Sequence, residues 1–184
     1  LRLRKKLEEL EGALQAARLQ APEGTSDLAQ GEDRVKLGFS LEARSKDYSS
    51  PSRWYEGSAE VAWNDIFAWV SPRMIDERAE DDFRKAITAL AREIGVYVVV
   101  ERNKLKNHVL ESFKVLDSDF QTIKVQLRAL GLITKSTTPR SIKDVKTYWT
   151  LTPYGDTAMT RLRAIRREGA SHAAVARDED PDPR

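Results

Sequence analysis

The sequence predicts a mixed α+β fold, because segments with helical periodicity and segments with strand periodicity follow one another along the chain. In residues 118–130, apolar residues recur at steps of three and four, as they do on the buried face of an amphipathic helix. In residues 35–43 they alternate strictly with polar residues, which is typical of a strand with one buried face. An isolated hairpin is marginally stable, so the strands are expected to pack on the helical unit that follows.

Composition excludes several classes of protein. The chain of 184 residues contains no cysteine, which excludes a disulfide scaffold, a thiolate metal site and a cysteine nucleophile. No apolar run approaches the roughly 20 residues that a bilayer-spanning helix needs, so no membrane partner is expected. These features favour a cytoplasmic protein. Because the chain opens on Leu1 inside a charged, leucine-spaced run, we expect it to be part of a longer protein.

The N-terminal segment has the leucine spacing of a coiled coil. Four leucines follow alternating steps of four and three, which places them at the a and d positions of a heptad pattern. They are Leu3, Leu7, Leu10 and Leu14. The pattern ends at the helix-breaking residues 21–24. We expect these leucines to mediate self-association; the alternative is a single amphipathic helix that lies on its own domain.

A β-hairpin and two helices are predicted next. Residues 35–43 and 54–62 are expected to pair as antiparallel strands. Asn64 can cap a short helix, and Asp76 can cap a longer one. The buried stripe of the longer helix consists of Phe83, Ile87, Leu90 and Ile94. The acidic residues at its start are interpreted as favourable charges at a helix N-terminus, rather than as a divalent-metal site.

The residues after this helix are harder to assign. Val96, Val98 and Val100 occupy alternate positions, which predicts a buried strand or an extended connection. Residues 103–111 are basic and carry no assignable pattern. His108 lies here without a Ser, Cys or carboxylate partner, so we expect it to be a surface or packing residue.

The C-terminal third predicts a helix, a long β-hairpin and a last helix. Asp117 or Ser118 can cap the first of these helices, and Gly131 supplies the left-handed residue that ends it. Its buried stripe consists of Phe120, Ile123, Leu127 and Leu130. Residues 132–134 and 148–151 are expected to pair across a polar loop. The inward positions of the last helix are Ala158, Leu162 and Ile165. This order of elements, preceded by another helix, is that of a winged-helix domain.

Several segments also resemble known proteins. "LRALGLI" resembles the end of a winged-helix recognition helix, and "YWTLTPYGDTAM" resembles the second wing strand turning into the C-terminal helix. The order of "KKLEEL", "VAWNDIFAWVSP", "DSDFQTIKVQLRALGLI" and "YWTLTPYGDTAMTRLRAIR" resembles the C-terminal region of uncharacterised bacterial multidomain proteins. Those proteins begin with a Toll/interleukin-receptor-like or nucleoside-deoxyribosyltransferase-like domain of unknown function. The resemblance implies a sensing or assembly region of a bacterial signalling or defence-type protein, with any catalytic part outside this chain.

The expected architecture is a winged helix-turn-helix domain preceded by a β-hairpin and an N-terminal coiled-coil helix. Its parts are a coiled-coil helix (1–21), a linker (22–34), a β-hairpin packed on the next unit (35–63), a winged-helix domain (64–167) and a disordered acidic tail (168–184).

The charge distribution indicates a candidate nucleic-acid interface. Residues 101–167 carry 14 Lys or Arg against 6 Asp or Glu. In the predicted wing, basic side chains interleave with hydroxyl groups, a composition that suits contact with a phosphate backbone of duplex DNA. The candidate nucleic-acid-binding residues are Gln121, Thr122, Lys124, Arg128, Lys135, Arg140, Lys143 and Lys146.

The outward face of the predicted recognition helix favours a protein partner instead. Val125 and Ala129 occupy its centre and are candidate protein-interaction residues, while Asp117 and Asp119 at its start repel phosphate. Two hypotheses stay open. One is a non-catalytic interaction and oligomerisation module; the other is a DNA-binding module that contacts duplex backbone through a basic wing. A third interpretation is a basic surface that only keeps the protein in solution.

The sequence contains no pattern that indicates catalysis. It has no Gly-rich phosphate loop, no nucleophile elbow, no metal-ligand spacing and no plausible His–carboxylate pair. We therefore expect no catalytic residue, no metal site, no cofactor and no small-molecule substrate.

Overall fold

The structure, a computed structural model, describes residues 2–165 and has the mixed α+β architecture that was predicted. The helices are α1 (Arg2–Arg18), α2 (Trp63–Val70), α3 (Glu80–Arg102), α4 (Asp117–Ala129) and α5 (Pro153–Arg163). The strands are β1 (Arg34–Ser45), β2 (Arg53–Ala62), β3 (Arg78–Ala79), β4 (His108–Val115), β5 (Ile133–Lys135) and β6 (Tyr148–Leu151). The predicted acidic tail, residues 168–184, lies outside the described residues.

The first sheet is antiparallel and has the strand order β2-β1-β4. Its β1–β2 hairpin confirms the prediction, with Arg34 opposite Ala62. Strand β4 pairs with the other edge of β1 and includes residues 108–111 of the segment that had no assignable pattern, while Leu105–Asn107 form a short 3-10 helix before it. The register with β1 shifts along β4, and Ser112 has a positive φ of 47°. This bulge inserts an extra residue, which breaks the apolar–polar alternation by which a strand is recognised.

The strand predicted at Val96, Val98 and Val100 is wrong, because α3 continues as one helix to Arg102. The face of α3 that packs on the first sheet includes Gly95, where a Cβ atom would collide with the ring of Phe39. The other residues buried on α3 are Phe83, Ala86, Ile87, Leu90, Ala91 and Val99. Ile94, which was predicted to be buried, is 36% exposed. Packing of this long face outweighs the preference of valine for strands.

The side-chain caps predicted for α2, α3 and α4 are wrong. The predicted caps were Asn64 for α2, Asp76 for α3, and Asp117 or Ser118 for α4. The residues that precede these helices are Ala62, Ala79 and Leu116, and none of them has a side chain that can cap a helix. The helix α3 starts later than expected because Arg78 and Ala79 pair with β6. Asn64 donates instead to a carboxylate oxygen of Glu32 at 2.9 Å.

Helix α4 and the second sheet follow the prediction closely. The four residues of the predicted stripe are all buried, and Gly131 ends the helix with a φ of 70°. The second sheet has the order β3-β6-β5, and its β5–β6 hairpin places Ile133 opposite Leu151. The side chain of Asp119 accepts a hydrogen bond from the backbone nitrogen of Gly38 at 2.6 Å, which ties α4 to β1.

Helix α5 opens as predicted and then departs from the prediction. Thr152 caps it, with Oγ1 accepting from the backbone nitrogen of Gly155 at 2.9 Å. Ala158 packs against the core, but Leu162 and Ile165 are exposed. Met159 takes the buried position instead, and Ile165 comes after the helix has ended.

One cluster of buried side chains extends from β1 to α5, so the hairpin packs on the elements that follow it. The segment between α1 and β1 is attached to the same unit. Pro22 lies against Gly131, and Gln126 donates to the carbonyl oxygen of Ala29 at 2.6 Å. We call residues 22–165 the body; these contacts determine where α1 leaves it. Within residues 2–165, no helix is long and apolar enough to cross a membrane.

Candidate interaction surfaces

The leucine stripe of α1 is exposed. Leu3, Leu7, Leu10 and Leu14 are 87%, 58%, 62% and 53% exposed, and α1 has no buried residue. The helix therefore does not lie on the body, which argues against the alternative of a single amphipathic helix packed on its own domain. Four leucines on one side of a helix form a contiguous apolar surface of the kind that marks an interaction site.

Lys124 of α4, predicted to contact phosphate, is engaged inside the protein. Its Nζ lies 3.1 Å from both carboxylate oxygens of Glu80, and only 15% of its side chain is exposed. Glu80 also accepts a hydrogen bond from Nε1 of the buried Trp149 at 2.9 Å. Burial acts to raise the pKa of Glu80, but Trp149 and Lys124 outweigh it, so that the pKa lies below its ordinary value. Lys124 thus holds α4 to the second sheet.

Arg140, also predicted to contact phosphate, is held at the base of the loop between β5 and β6. Its guanidinium forms an ion pair with Glu77 and lies 4.0 Å from Asp144. It stacks 3.4 Å from the centroid of the Tyr148 ring. The hydroxyl of Ser136 donates to the Glu77 carboxylate, and this hydrogen bond lowers the pKa of Glu77. The Arg140 guanidinium lowers it further, by a smaller amount. Two carboxylates therefore offset the charge of Arg140.

Three other predicted lysines are free of such partners. Lys135, Lys143 and Lys146 are exposed, and no carboxylate of the described chain lies within ion-pair distance of them. Arg128 of α4 is exposed and its guanidinium lies 5.6 Å from the Trp149 ring centroid. Lys135 lies on the edge strand β5, where it is the cross-strand neighbour of Trp149. Lys146 lies beside Ala79 and Glu80, on the side of strand β3.

The outward face of α4 has an apolar centre, as predicted. Val125 is 59% exposed, and Ala129 is exposed one helical turn further on. The hydroxyl of Thr122 donates to the carbonyl oxygen of Ser118 within the same helix, at 2.9 Å, and Gln121 is half-buried. Of the base-reading candidates on this helix, Arg128 is exposed and has no ion-pair partner among residues 2–165.

The loop between β5 and β6 carries two exposed apolar residues that the charge pattern does not predict. Ile142 and Val145 are 99% and 91% exposed. Each of them directly precedes a lysine, Lys143 or Lys146. A loop that only contacts a phosphate backbone would be expected to carry polar side chains at these positions. A signal for them is present in the sequence, since β-branched apolar residues are unusual in a polar loop, but the basic residues dominate the composition there.

Histidine and carboxylate side chains are the candidate metal ligands of the described chain. In residues 2–165 there is no group of three or more His, Cys, Asp or Glu side chains placed to hold a metal ion. His108 is half-buried at the start of β4, and its Nδ1 atom has no hydrogen-bond partner in the described structure. Of the acidic residues at the start of α3, Glu77 and Glu80 instead stabilise the second sheet and its loop through their bonds to Arg140, Ser136, Lys124 and Trp149.

Comparison of the chain with protein-family models, with curated proteins and with solved structures gave no significant match.

Proposed function

We propose that residues 64–165 form a winged-helix unit. Three helices, α2, α3 and α4, precede the β5–β6 hairpin, and the short strand β3 joins the hairpin to complete a three-stranded sheet. In this proposal α4 takes the position of the recognition helix and residues 136–147 form the wing. The first sheet packs on this unit as an addition contributed by β1, β2 and β4.

Together with α1, this unit serves as a non-catalytic interaction and self-association module of a larger bacterial, cytoplasmic protein, the context that the sequence resemblance implies. The observation that carries the proposal is the exposed leucine stripe of α1. Burying one leucine side chain contributes about 1.5–3 kcal/mol, so pairing two such stripes supplies enough free energy to order both helices. A second copy of the chain offers a stripe of matching spacing.

A protein-docking role for α4 and the wing has separate support. The centre of the α4 face is apolar, and the wing presents Ile142 and Val145 to solvent. Two of the cations that would contact phosphate, Lys124 and Arg140, are already paired with carboxylates. Interfaces between proteins combine an apolar centre with a polar rim, which the remaining lysines supply here.

Sedimentation velocity over a range of concentrations tests the self-association. The parent chain is expected to show a mass above the 20.9 kDa of one copy, whereas the double substitution Leu7→Glu and Leu10→Glu is expected to stay at that mass. Gln15→Glu and Ala16→Glu together add the same charge away from the stripe, and this variant is expected to behave like the parent. A parent that remains a single copy at every concentration would overturn the proposal.

Binding of duplex DNA is the second candidate function. The observation that favours it is a set of exposed cations with no ion-pair partner among residues 2–165: Lys143 and Lys146 on the proposed wing, and Lys135 at the end of β5 beside it. Phosphate contacts release counterions, so such binding weakens steeply as the salt concentration rises.

A salt titration with duplex DNA tests this second function. Replacing Lys135, Lys143 and Lys146 with Ala is expected to lower the salt slope by roughly one for each phosphate that the wing no longer neutralises. Replacing Lys36, Lys46 and Lys106, which belong to the first sheet and the loops beside it, provides a charge-matched control. An unchanged slope in the wing variant, or no binding at low salt, eliminates the wing as a DNA contact.

A further inference from the structure

Strand β2 forms an open, regular edge of the first sheet. It pairs with β1 along all 10 of its residues, and no strand within residues 2–165 pairs with its outer side. The opposite edge strand, β4, is interrupted by the bulge at Ser112, whereas no residue of β2 has a positive φ. A regular edge offers free N–H and C=O groups to another chain. We propose that this edge binds an extended peptide in which basic and apolar residues alternate.

The hydrogen-bonding pattern determines which backbone groups of β2 are free. The backbone nitrogen of Trp63 donates to the carbonyl oxygen of Asp33 at 3.1 Å, so the odd-numbered residues of this ladder bond to β1. The even-numbered residues therefore direct their backbone groups to the open edge. In agreement, the guanidinium of Arg102 donates to the carbonyl oxygen of Glu56 at 2.9 Å. The residues available for a new strand are Trp54, Glu56, Ser58 and Glu60.

An apolar surface of α3 lies beside this edge. A depression of about 500 Å³ is lined in part by residues 56–58 of β2 and by Val98, Val99 and Arg102 of α3. Val98 is 55% exposed, and Ile94, one helical turn earlier on the same side of α3, is 36% exposed. A peptide added to β2 presents every second side chain to this surface. The side chains on that face of the peptide are therefore apolar.

The charges on the other face of the edge determine the remaining side chains of the peptide. Gly57 lies against Val99 of α3, so the even-numbered side chains of β2 point to the opposite face of the sheet. Glu56 and Glu60 lie on that face, are exposed and form no ion pair within residues 2–165, although Lys36 is the cross-strand neighbour of Glu60. Lysine or arginine opposite these glutamates gives favourable cross-strand pairs. A second copy of β2 would instead bring like charges together on one short ladder.

Fluorescence anisotropy with a labelled synthetic peptide tests the proposal on the full chain. The peptide alternates lysine and valine over the length of residues 54–60, and it is expected to bind saturably with one site per chain. In an antiparallel arrangement the lysine amides face β2 and the valine amides face away from it. N-methylation of the lysine amides is therefore expected to weaken binding at least about tenfold. N-methylation of the valine amides is the matched control and is expected to have little effect.

Substitutions in β2 test the same contact from the protein side. The nitrogen of Ser58 points to the open edge, so Ser58→Pro removes a donor to the peptide without removing a bond to β1. It is expected to weaken binding about tenfold, and Ser58→Ala, which keeps the N–H, is expected to bind like the parent. Replacing Glu56 and Glu60 together with Gln is expected to weaken binding about three- to tenfold. Circular dichroism checks that each variant folds.

The outcomes separate this inference from the proposed self-association, to which the edge of β2 contributes nothing. Absence of saturable binding overturns it, as does binding that Ser58→Pro leaves unchanged or that tolerates methylation of the lysine amides. If Ser58→Pro does not fold, the methylated peptides still decide the matter on the parent chain. A chain with Leu7→Glu and Leu10→Glu that still self-associates, and becomes a single copy when Ser58→Ala is exchanged for a folded Ser58→Pro, would also overturn it. A second copy would then occupy the edge.

Discussion

Removing the carboxylate of Glu80 is expected to destabilise the body strongly. The Nε1–H of Trp149, a residue only 4% exposed, would lose its acceptor at 2.9 Å, and an unsatisfied buried donor costs about 1–3 kcal/mol. Lys124 would also lose its ion pair. Because the Glu80 side chain is 29% exposed, solvent screens part of that interaction, and we assign it about 1 kcal/mol. Glu80→Ala is therefore expected to lower the free energy of unfolding by about 2–4 kcal/mol.

Glu80→Gln separates the two contributions. The glutamine oxygen can still accept from Trp149, so the expected loss is only the ion-pair part, about 1 kcal/mol. Urea unfolding followed by circular dichroism measures both variants, at one protein concentration because association adds to apparent stability. Equal losses for the two variants, or losses below about 0.5 kcal/mol in both, would refute the reasoning.

The same variant predicts a change in the pH dependence of stability. The pKa of Glu80 is lowered in the folded protein, so its contribution is complete above the ordinary carboxyl pKa of about 4.3 and is lost as the pH falls through the lowered value. The stability of Glu80→Gln is expected to fall less than that of the parent over this acidic range. Parallel pH profiles for the two proteins would show that Glu80 does not titrate in this way.

Three further predictions concern other parts of the molecule. Gly12 lies at an exposed heptad position where an added Cβ meets nothing within 4 Å. Gly12→Ala removes the helix-propensity penalty of glycine, about 1 kcal/mol per helix, and is expected to lower the dissociation constant of self-association about tenfold or more in sedimentation experiments. An unchanged dissociation constant contradicts this prediction. Gly155→Ala places a Cβ against the carbonyl oxygen of Leu132 and is expected to cost about 3 kcal/mol in urea unfolding; a neutral result would show that the two segments can move apart. Glu77→Ala releases Arg140, so trypsin is expected to cleave after Arg140 faster than in the parent, and equal rates would argue against the ion pair.

The parts of the fold that could be predicted depend on local patterns. The stripe Phe120–Leu130 and the turn residue Gly131 identify α4 and its end, because helical spacing and a left-handed position are both visible in a single sequence. The valines at the end of α3 could not be assigned in this way. The helix continues through them because Gly95, just before them, packs against Phe39, which is contributed by a distant strand.

The charge of the candidate surfaces could be predicted from the sequence, but the ion pairs that engage some of their side chains could not. The basic character of residues 101–167 is plain from the sequence. That Lys124 is held by Glu80, a residue 44 positions away, follows only from the approach of α4 to the second sheet.

The central claim is that a second copy of the chain covers the leucine stripe of α1. Hydrogen exchange of the backbone amides, measured at several protein concentrations, tests it most directly. Protection of residues 2–18 is expected to rise with concentration, while protection of the body core in α3 and α4 stays nearly constant. Protection of residues 2–18 that does not depend on concentration would contradict the claim.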